Sequence, residues 1–227
     1  MDIPELMTKN FYYLKGDEVF HSFFANSVYP WELLEHIASF LLVLGPQLPE
    51  EKYIRADKDV WIARTASVAE YVTIKGPTII GEGCQIRPGA YIRGSAFIGE
   101  GSGVGNSTEI KNSMLLGKVE APHFNYIGDS ILSYGAHLGA GVITSNMRSD
   151  RKNIKVRLGD EVMETGLRKF GAMIAEKVEI GCNAVLNPGI LIGAGSIIYP
   201  LSLVRKSVPR NSIYKNQGEV THRQLFG

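Results

Sequence analysis

A chain of 227 residues with 44% hydrophobic composition can bury a sizeable core without disulfide staples. Its Lys and Arg outnumber Asp and Glu by one, 24 against 23, which excludes a general electrostatic pull toward nucleic acid or an anionic membrane. The two cysteines, Cys84 and Cys182, form no CxxC pair, and the longest apolar stretch, from Ile37 to Gly45, is too short to cross a bilayer, so a cytoplasmic protein is expected.

Residues 1–59 carry no repeat. Pro30 stands where it can open a helix with the apolar face Leu33, Leu34, Ile37, Phe40, Leu41 and Leu44, ended by Gly45-Pro46. A shorter helix is predicted after Asp17. Together they are expected to form a helical cap over one end of the structure that follows, where strand edges would otherwise lie open.

From Ile62 an aliphatic residue recurs at every sixth position: Val68, Ile74, Ile80, Ile86, Ile92, Ile98, Val104, Ile110 and Leu116. Four residues after most of them comes a small one, such as Ala66, Cys84, Ala90 or Ser102. A period of six fits neither an α-helix nor a half-buried strand. It fits a three-walled coil whose short strands each send one aliphatic side chain inward, with Gly81, Gly99, Gly105 and Gly117 read as turn points. The fold class is therefore all-β, a parallel β-helix of hexapeptide repeats over 60–209, and both cysteines occupy repeat positions expected to face inward. One unit is a residue short between Ile127 and Leu132, and the beat resumes at Leu138 and Thr144. It is absent over the inserted loop 145–170 and returns at Ile174, Ile180, Leu186, Ile192, Ile198 and Val204. Residues 210–227 read as a polar C-terminal extension.

With three strands per coil, residues eighteen apart stand above one another at roughly 4.8 Å per coil. Lys75, Arg93 and Lys111 then form a vertical ladder of like charge, which calls for an anion or for neutralising neighbours such as Glu109. Between Arg148 and Arg157 the inserted loop carries Arg148, Arg151, Lys152, Lys155 and Arg157 against Asp150 alone, a cation density suited to a phosphorylated ligand. His123 stands in Ala121-Pro122-His123-Phe124-Asn125-Tyr126, with the aliphatic slot falling on Pro122. A histidine at such a local break in the rule is a candidate general base, the role imidazole fills near neutral pH.

The segments Ile86-Arg-Pro-Gly-Ala90, Pro122-His-Phe-Asn-Tyr-Ile-Gly-Asp129, Gly139-Ala-Gly-Val-Ile-Thr-Ser-Asn146 and Gly166-Leu-Arg-Lys-Phe-Gly-Ala172 carry a resemblance. Over residues 62–215 the chain resembles the acetyltransferase domain of bifunctional N-acetylglucosamine-1-phosphate uridyltransferase/glucosamine-1-phosphate acetyltransferases and of archaeal sugar-1-phosphate nucleotidylyltransferases. The resemblance implies a left-handed coil, against the usual crossover rule. It implies acetyl-CoA as co-substrate, no metal for acetyl transfer, an amino-sugar phosphate as acceptor and a homotrimer that shares its sites. By the same resemblance His123 is the catalytic base and Asn146 a polar group of the catalytic site. Arg93, Lys111, Tyr126, Lys152 and Lys155 bind the sugar phosphate, and His137 replaces an Asn that contacts the sugar. Ala140 and, by a weaker match, Lys215 face the coenzyme. The family's G-x-G-T-R loop is missing and 59 residues do not build its nucleotidyltransferase domain, so uridylyl transfer is not expected, and a separate nucleotidyltransferase is a possible partner. The alternatives are a non-catalytic sugar-phosphate-binding subunit, or a zinc hydratase on the same coil, which needs three histidines where the repeat region offers His123 and His137.

Overall fold

The computed structural model describes residues 4–12, 18–216 and 218–223. Apart from an N-terminal helical region it is all-β, a left-handed parallel β-helix with three walls. The first wall begins with Val60–Ala63, Thr78–Ile80 and Ala96–Ile98 and ends with Ala172–Ile174 and Ile190–Ile192. The second runs from Ser67–Val68 through Glu120–His123 and His137–Leu138 to Ile197–Ile198. The third runs from Thr73–Ile74 and Tyr91–Ile92 to Ile143–Thr144, Val185–Leu186 and Leu203–Val204. Two longer strands, Glu109–Leu115 and Tyr126–Leu132, turn the corner from the third wall to the first.

The slot residues line one continuous apolar interior, with Ile80, Ile92, Ile98, Val104, Ile110 and Ile127 fully buried. The six-residue beat nevertheless breaks earlier than expected. Ile98 pairs with Leu115, seventeen residues on, so Leu115 and not Leu116 fills the slot. The following slot belongs to Ala121 and not Pro122. The second short unit, between Ile127 and Leu132, lies where it was expected. Gly81, Gly99 and Gly105 do not supply left-handed turns. They allow adjacent coils to touch: a Cβ on Gly105 would fall 1.5 Å from the Pro122 carbonyl oxygen. Cys84 is interior, while Cys182 sits exposed at a corner, contrary to the inward position expected for both.

Helices α2 (Glu18–Ala25) and α3 (Ile37–Leu44) form in the two segments expected to be helical, and a further short helix, α1 (Thr8–Phe11), precedes them. Pro30 opens a 3-10 turn, Pro30–Glu35, which precedes α3 rather than continuing into it. They do not cap an end. They lie along the outside of the first wall, where Trp61, Ile79, Phe97, Met114, Ile131, Met173 and Leu191 point outward in one column and pack with Trp31, Leu33, Leu34, Ile37 and Leu41. Burying two faces of a wall turns its strands into paired apolar dipeptides, as in Ile79-Ile80 and Phe97-Ile98. Gly45, just past α3, lets the chain meet the Trp61 ring at a distance that no Cβ would permit.

Antiparallel strands close both ends. Tyr53–Asp57 covers the first coil, so the 1–59 unit is part strand. At the other end Ser212–Tyr214 still belongs to the second wall, and Val220–His222 folds back on it. The coil thus extends to Tyr214, past the expected boundary at 209, and residues 217 and 224–227 of the expected tail lie outside the described residues. The inserted loop contains a hairpin, Lys155–Leu158 with Glu161–Glu164. Its Ile154 and Val156 are buried beside Phe170 and Met173 on the flank that the helices cover.

Candidate active site

Lys75, Arg93 and Lys111 each follow a slot residue of the third wall and stand on one corner, where that wall meets the first. Each cation is held by a neighbour. Lys75 lies 5.4 Å above the Tyr91 ring centroid, and Arg93 leans over the third wall to Glu109 at 2.7 Å. That hydrogen bond raises the affinity of the Arg93 guanidinium for its proton. Lys111 Nζ donates to both oxygens of Asp129, at 3.2 and 3.1 Å. Pairing leaves donors to spare on both cations.

Asp129 organises the corner. It is 3% exposed, and besides Lys111 it accepts hydrogen bonds from the side-chain amides of Asn112 and Asn146. Asn112 also donates to the Leu34 carbonyl, which ties the helical flank to the site. Asn146 reaches the Tyr126 hydroxyl at 3.2 Å. Burial, then the charges of Asp129 and Glu109, push the Tyr126 phenol upward, so it remains a neutral hydrogen-bonding group. Asp129 and Asn112 were not singled out from the sequence, although the Gly-Asp of the His-x-x-Tyr-x-Gly-Asp element contains the first of them.

The opposite corner of the third wall carries His123. Its ring is exposed to solvent and lies 6.4 Å from the Phe124 ring. Asn125, buried, fixes the turn: its side-chain oxygen accepts from the His123 N–H and its amide donates to the Gly139 carbonyl. The next coil places the Gly139-Ala140-Gly141 turn beside it, with Gly141 N–H donating to the His123 carbonyl. Gly139 N–H is also bonded, to Ile180, so of this turn Ala140 keeps a free N–H among the described residues.

The candidate residues therefore fall into groups. Arg93, Lys111, Tyr126 and Asn146 meet at one corner; Asn146 does not stand beside His123. His123 and Ala140 share the other corner, across the third wall. His137 sits apart on the second wall, 2.8 Å from Glu179. Lys152 is exposed on the inserted loop, and Lys155, in its hairpin, pairs with Glu164. Lys215 lies beyond the last coil strand, held by Glu219 at 2.8 Å. No helix among the described residues is long and apolar enough to cross a membrane.

No protein-family model matches the chain. It is 33% identical over 177 residues to the bifunctional sugar-1-phosphate nucleotidylyltransferase/acetyltransferase of Sulfurisphaera tokodaii, covering 70% of this chain and 44% of that protein. It is 32% identical over 207 residues to the bifunctional protein GlmU of Methanococcus aeolicus, covering 83% of this chain and 46% of that protein. Among solved structures, a mutant perosamine N-acetyltransferase from Caulobacter crescentus with CoA and GDP-perosamine aligns at TM-score 0.39 and 17% identity, over 71% of this chain and 56% of that one. The chain spans about half the length of the curated relatives it matches. It is a left-handed β-helix domain of the acetyltransferase type, related over part of their length to the GlmU-type bifunctional sugar-phosphate proteins.

Proposed function

We propose that the chain is an acetyl-CoA-dependent N-acetyltransferase acting on an amino-sugar 1-phosphate in sugar-nucleotide biosynthesis. One observation supports this reading: a pinned cationic corner and an exposed imidazole bound the same third wall, one on each of its two corners. Tyr126 lies between them, on the outward column Tyr91, Glu109, Tyr126. A phosphate held by Arg93 and Lys111 lays the sugar over Tyr126 with its amine toward His123.

The amine attacks the thioester carbonyl only when unprotonated. His123 accepts the proton as the C–N bond forms, a contribution of roughly 10²- to 10⁴-fold. The Ala140 N–H, left without an acceptor among the described residues, serves as a donor to the oxyanion of the tetrahedral intermediate, and the C–S bond then breaks to release CoA, whose sulfur takes up a proton. Arg93, Lys111, Tyr126 and Asn146 contribute orientation. A homotrimer suits the remainder of the third wall, where the outward column changes to Ile143 and Leu203, 39% and 38% exposed. In such an assembly Lys152 and Lys155, on the inserted loop, serve a neighbour's His123. Acetyl transfer of this kind requires no metal.

The test is thiol release from acetyl-CoA with glucosamine-1-phosphate, galactosamine-1-phosphate and UDP-linked amino sugars. His123→Ala is expected to lower turnover at least about a hundredfold with the fold intact, because the ring is exposed. Unchanged turnover removes His123 from the mechanism. No turnover with any amino sugar favours a binding subunit that partners a separate nucleotidyltransferase.

A further inference from the structure

The corner that carries Lys75, Arg93 and Lys111 continues beyond the insertion through Ser145, Asn187 and Arg205, each again following a slot residue of the third wall. There the hairpin of the inserted loop and the corner enclose a cleft of about 480 Å³. Arg148, Lys155, Arg157 and Arg205 line it from three separate chain segments, with Asn187 between them and Asp150 as its one carboxylate. Asp150 offsets Arg148 and Glu164 offsets Lys155, so two net positive charges, those of Arg157 and Arg205, face this space.

Two of these cations are already engaged. Arg148 grips Asp150 through two nitrogens, at 2.8 and 2.6 Å, and holds its carboxyl well below the usual range. Lys155 pairs with Glu164. Arg157 and Arg205 have no carboxylate partner among the described residues. The hairpin that presents Arg157 is fixed in place. Ile154 and Val156 are each 1% exposed, and the Arg157 carbonyl accepts from Ser207 N–H at 2.9 Å. Gly189 admits Ile154, whose methyl would lie 2.5 Å from a Cβ there. Holding two unpaired guanidinium groups together on a braced scaffold is unfavourable without an anion between them.

We propose that this cleft binds a diphosphate ester, with the two linked phosphates bridging Arg157 and Arg205. A diphosphate esterified at both ends carries one negative charge per phosphate at neutral pH, which matches one phosphate to each of the two unpaired guanidinium groups. The same chemistry occurs in the diphosphate of coenzyme A and in a nucleoside diphosphate such as that of a sugar nucleotide. The site lies two to four coils from Lys111, roughly 10–19 Å along the axis, so it is separate from the Arg93 and Lys111 pair of the same chain.

The experiment is calorimetric titration of the full chain with inorganic pyrophosphate and with orthophosphate. Pyrophosphate is expected to bind at least about tenfold more tightly than orthophosphate. Arg157→Gln combined with Arg205→Gln is expected to weaken it at least about tenfold with an unchanged melting temperature, since both side chains are exposed. Lys58→Gln combined with Lys177→Gln removes the same charge elsewhere and should leave affinity within about twofold. Equal loss in both pairs, or equal affinity for the two anions, overturns the proposal. Displacement of pyrophosphate by acetyl-CoA assigns the cleft to the coenzyme, and displacement by uridine diphosphate alone assigns it to a nucleotide-linked ligand. Displacement by neither overturns it. Because the readout is binding, failure here is distinguishable from failure of acetyl transfer.

Discussion

Asp129→Asn is the substitution that most directly tests how the cationic corner is built. The change keeps the shape but replaces one acceptor oxygen by a donor. Every group around Asp129 is itself a donor: Lys111 at 3.1 and 3.2 Å, Asn112 at 2.9 Å, and Asn146. The new amide therefore faces at least one N–H with no acceptor between them. Removing one partner of a fully buried ion pair costs about 3–5 kcal/mol. Lys111 is 25% exposed and recovers part of that from water, so about 2 kcal/mol is expected. For a chain of this length that lowers the melting temperature by about 4–8 °C, measurable by scanning calorimetry. Turnover should report a second effect. With Lys111 and Asn146 no longer held, KM for the amino-sugar phosphate should rise about tenfold while orthophosphate, which needs no orientation, binds as well or better. A melting temperature within about 1 °C of wild type, together with unaltered KM, would refute the claim that Asp129 positions these groups.

Phe170, fully buried where the inserted loop rejoins the coil and 6.0 Å from Trp31, joins the loop to the helical flank. Phe170→Ala should cost about 3–5 kcal/mol and lower the melting temperature by about 6–20 °C in the same calorimeter; a cost below about 1 kcal/mol would mean that loop and flank are not packed as one unit. The two cysteines should differ sharply. A thiol reagent at pH 8 should modify exposed Cys182 and spare Cys84, whose burial pushes its pKa to about 11; mass spectrometry of the native protein reads the difference. The same shift sets an alkaline limit. The unfolded thiol ionises near 9 while the folded one holds its proton to about 11, so stability is full below 9 and falls as pH rises between these values, by about 2–3 kcal/mol. Cys84→Ser should flatten that decline in chemical denaturation curves across the range.

The interior of the coil was readable from Ile62 to Ile110 because each inward slot there takes an aliphatic residue at one spacing. What escaped was a signal at three times the period. Trp61-Ile62, Ile79-Ile80 and Phe97-Ile98 place a second large apolar residue beside every third slot, which only a wall buried on both faces requires. Reading that column would have moved the helices from the end of the coil to its flank. It would also have located the first break, since Phe97, Met114 and Ile131 are spaced by seventeen. The ladder of Lys75, Arg93 and Lys111 was legible for the same geometric reason as the core. Its neutralisation by Asp129 was not, because that contact depends on the depth of a corner and not on the register of a wall.

That depth follows from the repeat defects themselves. In the regular coils the corner between the third and first walls takes three residues, Lys75-Gly76-Pro77 and then Arg93-Gly94-Ser95. In the next two coils it takes two, Lys111-Asn112 and Gly128-Asp129. The shortened turns need a left-handed residue, and Asn112 and Asp129 supply it at φ 46° and 48°, a conformation that Asn and Asp tolerate better than most side chains. Losing one residue draws the corner inward, so Asp129 is buried within reach of the Lys111 ammonium below it. One coil later the same corner releases the inserted loop, beginning at Ser145 and Asn146, and Asn146 returns to Asp129. The site is thus not placed on an undisturbed scaffold: two single-residue deletions and one insertion, stacked in successive coils, bring the carboxylate, the cation and the amide together. Restoring a residue between Asn112 and Ser113 should therefore separate Lys111 from Asp129 while leaving the apolar interior of the first three coils intact.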